Sequence, residues 1–169
     1  MRALFALLLL AGCPKTVVLQ APVPTQVRVA TVLESPTEGQ LEERASARGA
    51  ITAELQKRNF TPVPVEVHAP HHKRFEVLAD GADGALLLLV ESSARYSSQM
   101  NGRYRWTVDV QARLADPAQP DDAIEAKFTV PVHLLYSHQR EADALVSAMP
   151  SIARRVGVLL DEWITSHQQ

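Results

Sequence analysis

Few residues of this chain are of a type and spacing that could do chemistry. It has six histidines, one cysteine and 169 residues in all. His68-Ala69-Pro70-His71-His72 is the one histidine cluster. Two ligands on a helix need i, i+4 spacing to share a face, and adjacent His71 and His72 point in different directions. No carboxylate or cysteine is spaced beside them, so the cluster reads as a solvated helix start and no metal is expected. His133 falls on the polar side of an alternating segment, and His138 sits beside a helix start. Asp80 and Asp83 lack the alternating oxygen ligands and distal Glu of an EF-hand loop and read as turn formers. The chain has no Gly-x-Ser-x-Gly, no phosphate loop and no dinucleotide fingerprint. Ser92-Ser93 and Ser97-Ser98 have no His-and-acid pair indicated for them. The expectation is a protein that is not an enzyme and takes no cofactor.

The bulk numbers narrow the class. A single cysteine excludes an intrachain disulfide and a Cys-based zinc site. Lys plus Arg is 17 and Asp plus Glu is 19, a formal net charge of −2. That balance carries no electrostatic footprint for nucleic acid. At 46% hydrophobic and 21% charged, the chain is not wholly disordered, and its length suits one domain.

The cysteine has a context of its own. Arg2 precedes nine apolar residues, Ala3 to Ala11, and then come Gly12 and Cys13. Nine helical residues rise about 14 Å, roughly half the hydrocarbon core, so the run does not span a membrane. It has the layout of a short secretory signal. Leu10-Ala11-Gly12-Cys13 resembles the lipobox of bacterial lipoproteins. The resemblance implies that residues 1–12 are removed and that Cys13 is lipidated on its thiol and, usually, on its new amine. Two or more acyl chains anchor stably where one is marginal. Pro14 is not the Asp that marks inner-membrane retention in such proteins, which implies an outer-membrane protein facing the periplasm. Loss of Arg2 takes the net charge to −3. Residues 13–25 form a lipidated, Pro-rich tether, stiff and at most about 40 Å long. A single domain is expected over 26–169.

The elements of that domain follow from periodicity and punctuation. Gln26–Leu33 alternates as a first strand. Ser35-Pro36-Thr37-Glu38 reads as a capping box with Pro at the first helical position, predicting a helix from about Pro36 to Arg58. Val63–Val67 reads as a short edge strand and Pro70–Ala79 as a short helix with Phe75 and Leu78 inward. Asp80 to Gly84 is a turn cluster. Ala85–Val90 is apolar on both faces, as a covered central strand is. Arg103–Leu114 and Ile124–Tyr136 alternate without a break, and a hairpin centred at Gln119 pairs Leu114 with Ile124, Val110 with Phe128, and Arg113 with Glu125. For the preceding hairpin, hydrophobic register favours a long loop, Ser97–Arg103, over the two-residue turn that Asn101-Gly102 offers. Arg140–Ile164 carries a three-four apolar stripe through Leu145, Met149, Ile152, Val156, Leu159 and Trp163, with a kink expected at Pro150.

The result is an α+β fold in the order strand-helix-strand-short helix-strand-strand-strand-helix. Its sheet is mixed or mainly antiparallel with a three-strand meander, and its helices pack on one face. Gly81-Ala82-Asp83-Gly84-Ala85-Leu86-Leu87-Leu88 and Leu114-Ala115-Asp116 are similar to segments of a periplasmic domain. That domain occurs in the TolB N-terminal region, the curli-secretion lipoproteins and the lipoprotein activators of penicillin-binding proteins. The chain is too short for the pore-forming strands of the curli group, so the resemblance implies an accessory role. The expected function is a lipid-anchored, non-enzymatic envelope protein, on the membrane through its anchor, that contacts an envelope protein partner in the assembly or regulation of an envelope machine. The alternative is a carrier or receptor for a lipid, glycan or other small ligand. Arg95, Tyr96, Arg103 and Arg105, around the predicted loop, are the expected partner-binding residues, because Arg and Tyr serve as contact anchors.

Overall fold

The computed structural model describes residues 18–21, 25–36, 39–41 and 45–167. The signal segment and Cys13 lie outside the described residues. The elements are β1 (Thr25–Ser35), β2 (Gly39–Leu41), α1 (Ala45–Lys57), β3 (Phe60–Pro64), a 3-10 turn (His71–Lys73) leading into α2 (Arg74–Ala79), β4 (Leu86–Met100), β5 (Arg103–Asp116), β6 (Gln119–Leu134) and α3 (Glu141–His167). They build an α+β fold on a six-stranded mixed sheet of order β2-β1-β4-β5-β6, with β3 also paired to β1. β3 and β4 run parallel to β1, and β4, β5 and β6 form an antiparallel meander.

Alternation along the strands divides the interior in two. Val27, Val29, Leu86, Leu88, Val90, Val108, Val110, Ala112 and Leu114 face α1 and α3 and form the main core with Ile51, Leu55, Leu145, Ile152 and Leu160. Ala30, Val32, Leu87 and Leu89 face the other way and pack with Val67, Leu78 and Ala82. The placement of helices on one face therefore holds for the two long helices, while the short α2 covers the opposite face over β1 and β4. Ala85–Val90 needed apolar residues on both faces because this part of β4, like β1, is buried from both sides.

Three local expectations are corrected. The first long helix begins at Ala45, not Pro36, because β1 continues to Ser35 and turns back to pair Leu33 with Leu41 and Ser35 with Gly39. Ser followed by Pro suits the first two positions of a reverse turn as well as a helix start, and Gly39 takes the positive φ of +76° there. Glu38 lies outside the described residues. The edge strand is Phe60–Pro64 and not Val63–Val67, because α1 stops at Lys57 and the chain turns at once through Asn59, whose φ is +65°. Third, the predicted Ser97–Arg103 loop is strand and turn. β4 runs to Met100, and Asn101 and Gly102, with φ of +51° and +72°, make the two-residue turn. A bulge between Tyr96 and Ser98 reconciles turn and core. It brings Ala94, not Arg95, opposite Val108 and Ser92 opposite Val110. The next hairpin pairs as expected, Leu114 with Ile124, Val110 with Phe128 and Arg113 with Glu125.

α3 runs unbroken through Pro150, whose ring is on the exposed side. α1 lies against it, and Arg58 closes their contact. Its Nε and Nη2 donate to Asp161 Oδ1 and Oδ2 at 2.7 and 3.0 Å, and Nη1 donates to Glu54 Oε2 at 2.7 Å. Gly157 makes room for this group: a Cβ there would lie 2.7 Å from Arg58 Nη2 and 2.9 Å from Glu54 Oε2. The last described residues of the tether dock at the same corner. Ala21 is buried, its N–H donates to the Arg58 carbonyl at 2.9 Å, and its carbonyl accepts from Asn59 Nδ2 at 3.2 Å.

Candidate functional site

The meander is longer than the sheet that carries it. The last pair between β1 and β4 is Glu34 with Ser93, and β4 continues for seven residues to Met100. At about 3.3 Å per residue the extension is roughly 23 Å long. β5 and β6 accompany it as far as the Tyr104–Leu134 pair, so it is a three-stranded arm. Its helix side is closed by Ala94, Trp106 and Val108, all buried.

The four expected partner-binding residues all sit on this arm and all are exposed, but they do not share a face. Arg95, Arg103 and Arg105 lie on the side away from the long helices. Arg95 Nε approaches Asp109 Oδ2 at 3.2 Å, and Ser97 Oγ lies 2.8 Å from Thr107 Oγ1. Tyr96 lies on the helix side, at the rim of the core, with its ring edge-on to Trp106 at 5.5 Å and 69°. Two further residues join the tip that sequence reasoning passed over. Leu135 and Tyr136 follow the end of β6, are each 59% exposed, and Tyr136 stacks on His138 at 5.5 Å. They escaped notice because Tyr136 continued an alternating pattern that reads as buried.

Charge is distributed unevenly over the open face of β4, β5 and β6. Glu91 contacts Arg74 and His71, Asp109 contacts Arg95, and Glu125 contacts Arg113 and Lys127. Arg103 and Arg105 have no carboxylate partner among the described residues. Among the described residues the tip is therefore a cationic end of the face, while Glu91, Asp109 and Glu125 each have a cationic neighbour.

Nearer the middle of that face lies a cleft of about 520 Å³, lined by Glu34, His71, Glu91, Ser93, Asp109 and Lys127 among others. Its wall is fixed by Arg74, which is 4% exposed. Arg74 pairs with Glu34 and, at 2.6 Å, with Glu91 Oε1, and its Nε donates to the Ala69 carbonyl at 3.0 Å. Burial works against this guanidinium's charge, but the hydrogen bonds it donates to the two carboxylates outweigh that and raise its pKa. His71 Nε2 stands 3.3 Å from Glu91 Oε2. Histidine, serine and acid side chains line this cleft together, but the nucleophile contact is missing. Neither Ser92 nor Ser93 bonds to His71, and Ser92 Oγ is buried without a partner. The cluster as it stands clamps α2 to the sheet. Among the described residues no group of three or more His, Cys, Asp or Glu side chains gathers at metal-binding distance.

The two ends of the sheet have different neighbours. β1 begins at Thr25, opposite Phe60 of β3, where Ala21 docks, and β4 begins beside it with Leu86 opposite Val27. The arm's turn is at the other end of β4. Ala21, the last described residue before β1, thus lies at one end of the sheet, and the exposed arginines sit at the other.

No protein-family model matches the chain, and no curated protein sequence matches it. Among solved structures it is similar to rare lipoprotein B of Shewanella oneidensis, at 14% identity over 84% of this chain and 96% of that one, with a TM-score of 0.44. It is similar to a minor lipoprotein of Acinetobacter baumannii, at 13% identity over 80% and 90%, with a TM-score of 0.47. It is also similar to a lipoprotein of Neisseria meningitidis, at 14% identity over 80% and 99%, with a TM-score of 0.42. All three neighbours are bacterial lipoproteins by name. No helix among the described residues is long and apolar enough to cross a membrane.

Proposed function

We propose that this chain is a lipid-anchored accessory protein of the bacterial cell envelope, without catalytic activity, that works through protein contacts in assembling or regulating an envelope machine. The observation that carries the reading is the polarity of the molecule. The segment leading from Cys13 enters at one end of the sheet, and a three-stranded arm with exposed arginines and tyrosines leaves at the other. A tethered adaptor needs that arrangement, with its contact surface turned away from the bilayer that holds it. Leu10-Ala11-Gly12-Cys13 supplies the anchor, Pro14 favours the outer membrane, and the Gly81–Leu88 segment supports kinship with the periplasmic accessory domains named above. The carrier reading needs an apolar cavity between the sheet and the long helices. That layer instead holds Leu88, Leu114, Leu145, Ile152 and Leu160, each fully buried, and the cleft at its margin between β6 and α3 is lined by Arg154, Arg155, Ser151 and Thr129 beside Val158 and is not an apolar cavity.

Cys13→Ser tests the anchor. The expected result is release of the protein from the membrane fraction and a mass that retains residues 1–12 and no acyl chains. Unchanged fractionation with unchanged mass overturns the lipoprotein reading.

A further inference from the structure

We infer that the tip of the arm docks a protein segment that presents carboxylates around an apolar side chain. The inference rests on the accessory-protein reading and adds the chemistry of the partner. Three observations lead to it. Arg103 and Arg105 stand two residues apart on one strand, on the same side and roughly 7 Å from each other along it. They are exposed, and no carboxylate among the described residues neutralises them, on a protein whose net charge is −2. Glu91, Asp109 and Glu125 on this face each contact a cation already, so they do not quench the tip's charge. Second, large apolar side chains are left bare at the same tip: Tyr96, 51% exposed, on the helix side of the strands, and Leu135 and Tyr136, each 59% exposed, just past the end of β6, so that a segment wrapping the tip meets both. Arginine fits carboxylates through its planar fork, and tyrosine contributes broad contact at small entropic cost. A purely anionic polymer would use the arginines and leave the apolar side chains idle. A folded or extended protein segment with acids flanking a hydrophobic residue uses both. Third, the tip is held rigidly enough to act as a preformed surface. Paired strands run to within two residues of one another at the turn, Ser97 is bonded to Thr107, and Trp106 packs beneath Tyr96.

The test places a photo-crosslinking amino acid at Gln99, on the arm, or at Val158, exposed on α3, in the full chain in its native cells. The expected result is an adduct at position 99 with a protein, mapped to a segment in which Asp or Glu flank a hydrophobic residue. Arg103→Glu with Arg105→Glu should lower that adduct about tenfold, the scale of losing charged anchor contacts. Changing the mapped acids to Lys should then restore it. Both side chains are exposed, so the thermal melt of the double variant should match the parent. Arg103→Gln with Arg105→Gln, which removes charge without reversing it, should give an intermediate loss and serves if the reversed chain folds poorly. An adduct indifferent to these changes, or one with lipid or polysaccharide, overturns the inference. Adducts to protein at 158 but none at 99 overturn it while leaving the accessory reading standing. Absence of protein adducts at both positions overturns both.

Discussion

At the scale of single residues, the structure turns on two buried arginines whose charges are matched on the spot. Arg58 joins α1 to α3, and Arg74 joins the α2 shelf to β1 and β4. Their partners are far off in sequence: Asp161 is 103 residues from Arg58, and Glu34 and Glu91 lie 40 and 17 residues either side of Arg74. Only Glu54, one helical turn before Arg58, has a spacing that sequence can reveal. This is why the arm's exposed arginines were legible as candidates and the clamp at the cleft was not. Glu54 also gives the pH dependence of the corner. Burial pushes its carboxyl up, but hydrogen bonds from Lys57 and Arg58 outweigh this and hold it below its ordinary 4.5. A carboxylate more acidic in the folded chain stabilises the fold above its unfolded pKa, and that contribution is lost as the pH falls through the folded value. Glu54→Gln should therefore be less stable than the parent at pH 7, by about 1 kcal/mol for a partly buried pair. The gap should close as the pH is lowered from about 5 to 3. Denaturant melts of both chains across that range check it; a gap that persists at pH 3 would mean that packing, not charge, makes the difference.

At the scale of elements, the α1–α3 contact makes a sharper demand than either helix alone. Gly157 is in the interior of α3, where replacement by Ala ordinarily gains up to about 1 kcal/mol of helix propensity. Here the added Cβ would meet a guanidinium fixed at three points, and overpacking costs about 1–3 kcal/mol. Gly157→Ala should be net destabilising by about 1 kcal/mol. In Arg58→Ala the same substitution should become neutral or favourable, a coupling that a double-mutant cycle of melts measures directly. Which elements were legible follows the same logic of local against distant causes. α3 and the β5–β6 register were readable because each side chain's face is set by its own strand or helix period, and both faces of the hairpin agreed. The Asn101-Gly102 turn was readable too, but set against it was a hydrophobic register that paired Val110 with Val90, three residues away from the turn's Ser93, and the strands take neither: Val110 lies opposite Ser92. The Tyr96–Ser98 bulge keeps the turn and shifts its register by one residue, so that Ala94 and not Arg95 meets Val108, and no pattern in the sequence marks a bulge. Ser35-Pro36 failed for another reason: its chemistry suits two structures, and the choice was made by β1 finding a pairing partner in β2.

At the scale of the whole molecule, the sheet is open and has two outer edges, which are the usual sites of uncontrolled strand pairing. Both are guarded by proline. β3 carries Pro62 and Pro64 opposite Val27 and Val29, and β6 carries Pro131 opposite Thr107. A proline paired on one side turns its missing N–H to the unpaired side. Replacing all three, Pro62→Thr, Pro64→Thr and Pro131→Thr, should restore those donors and produce concentration-dependent association. Light scattering that rises with protein concentration in the variant and not in the parent is the expected outcome. A variant as monodisperse as the parent would assign edge protection to the flanking side chains instead.

The bulge has a separate effect on geometry. Ser97 is the residue that the pairing of β4 with β5 passes over. Without it, Tyr96 would still face Trp106, Ser98 would still face Arg105, and the same two residues would still turn the chain. What its presence changes is direction, because an extra residue in one strand bends the ribbon and increases its local twist. Where the tip points relative to the sheet is thus governed by a single insertion that neither the core nor the turn requires, and evolution could re-aim the arm by adding or removing that residue while leaving both the fold and the contact chemistry of the tip untouched.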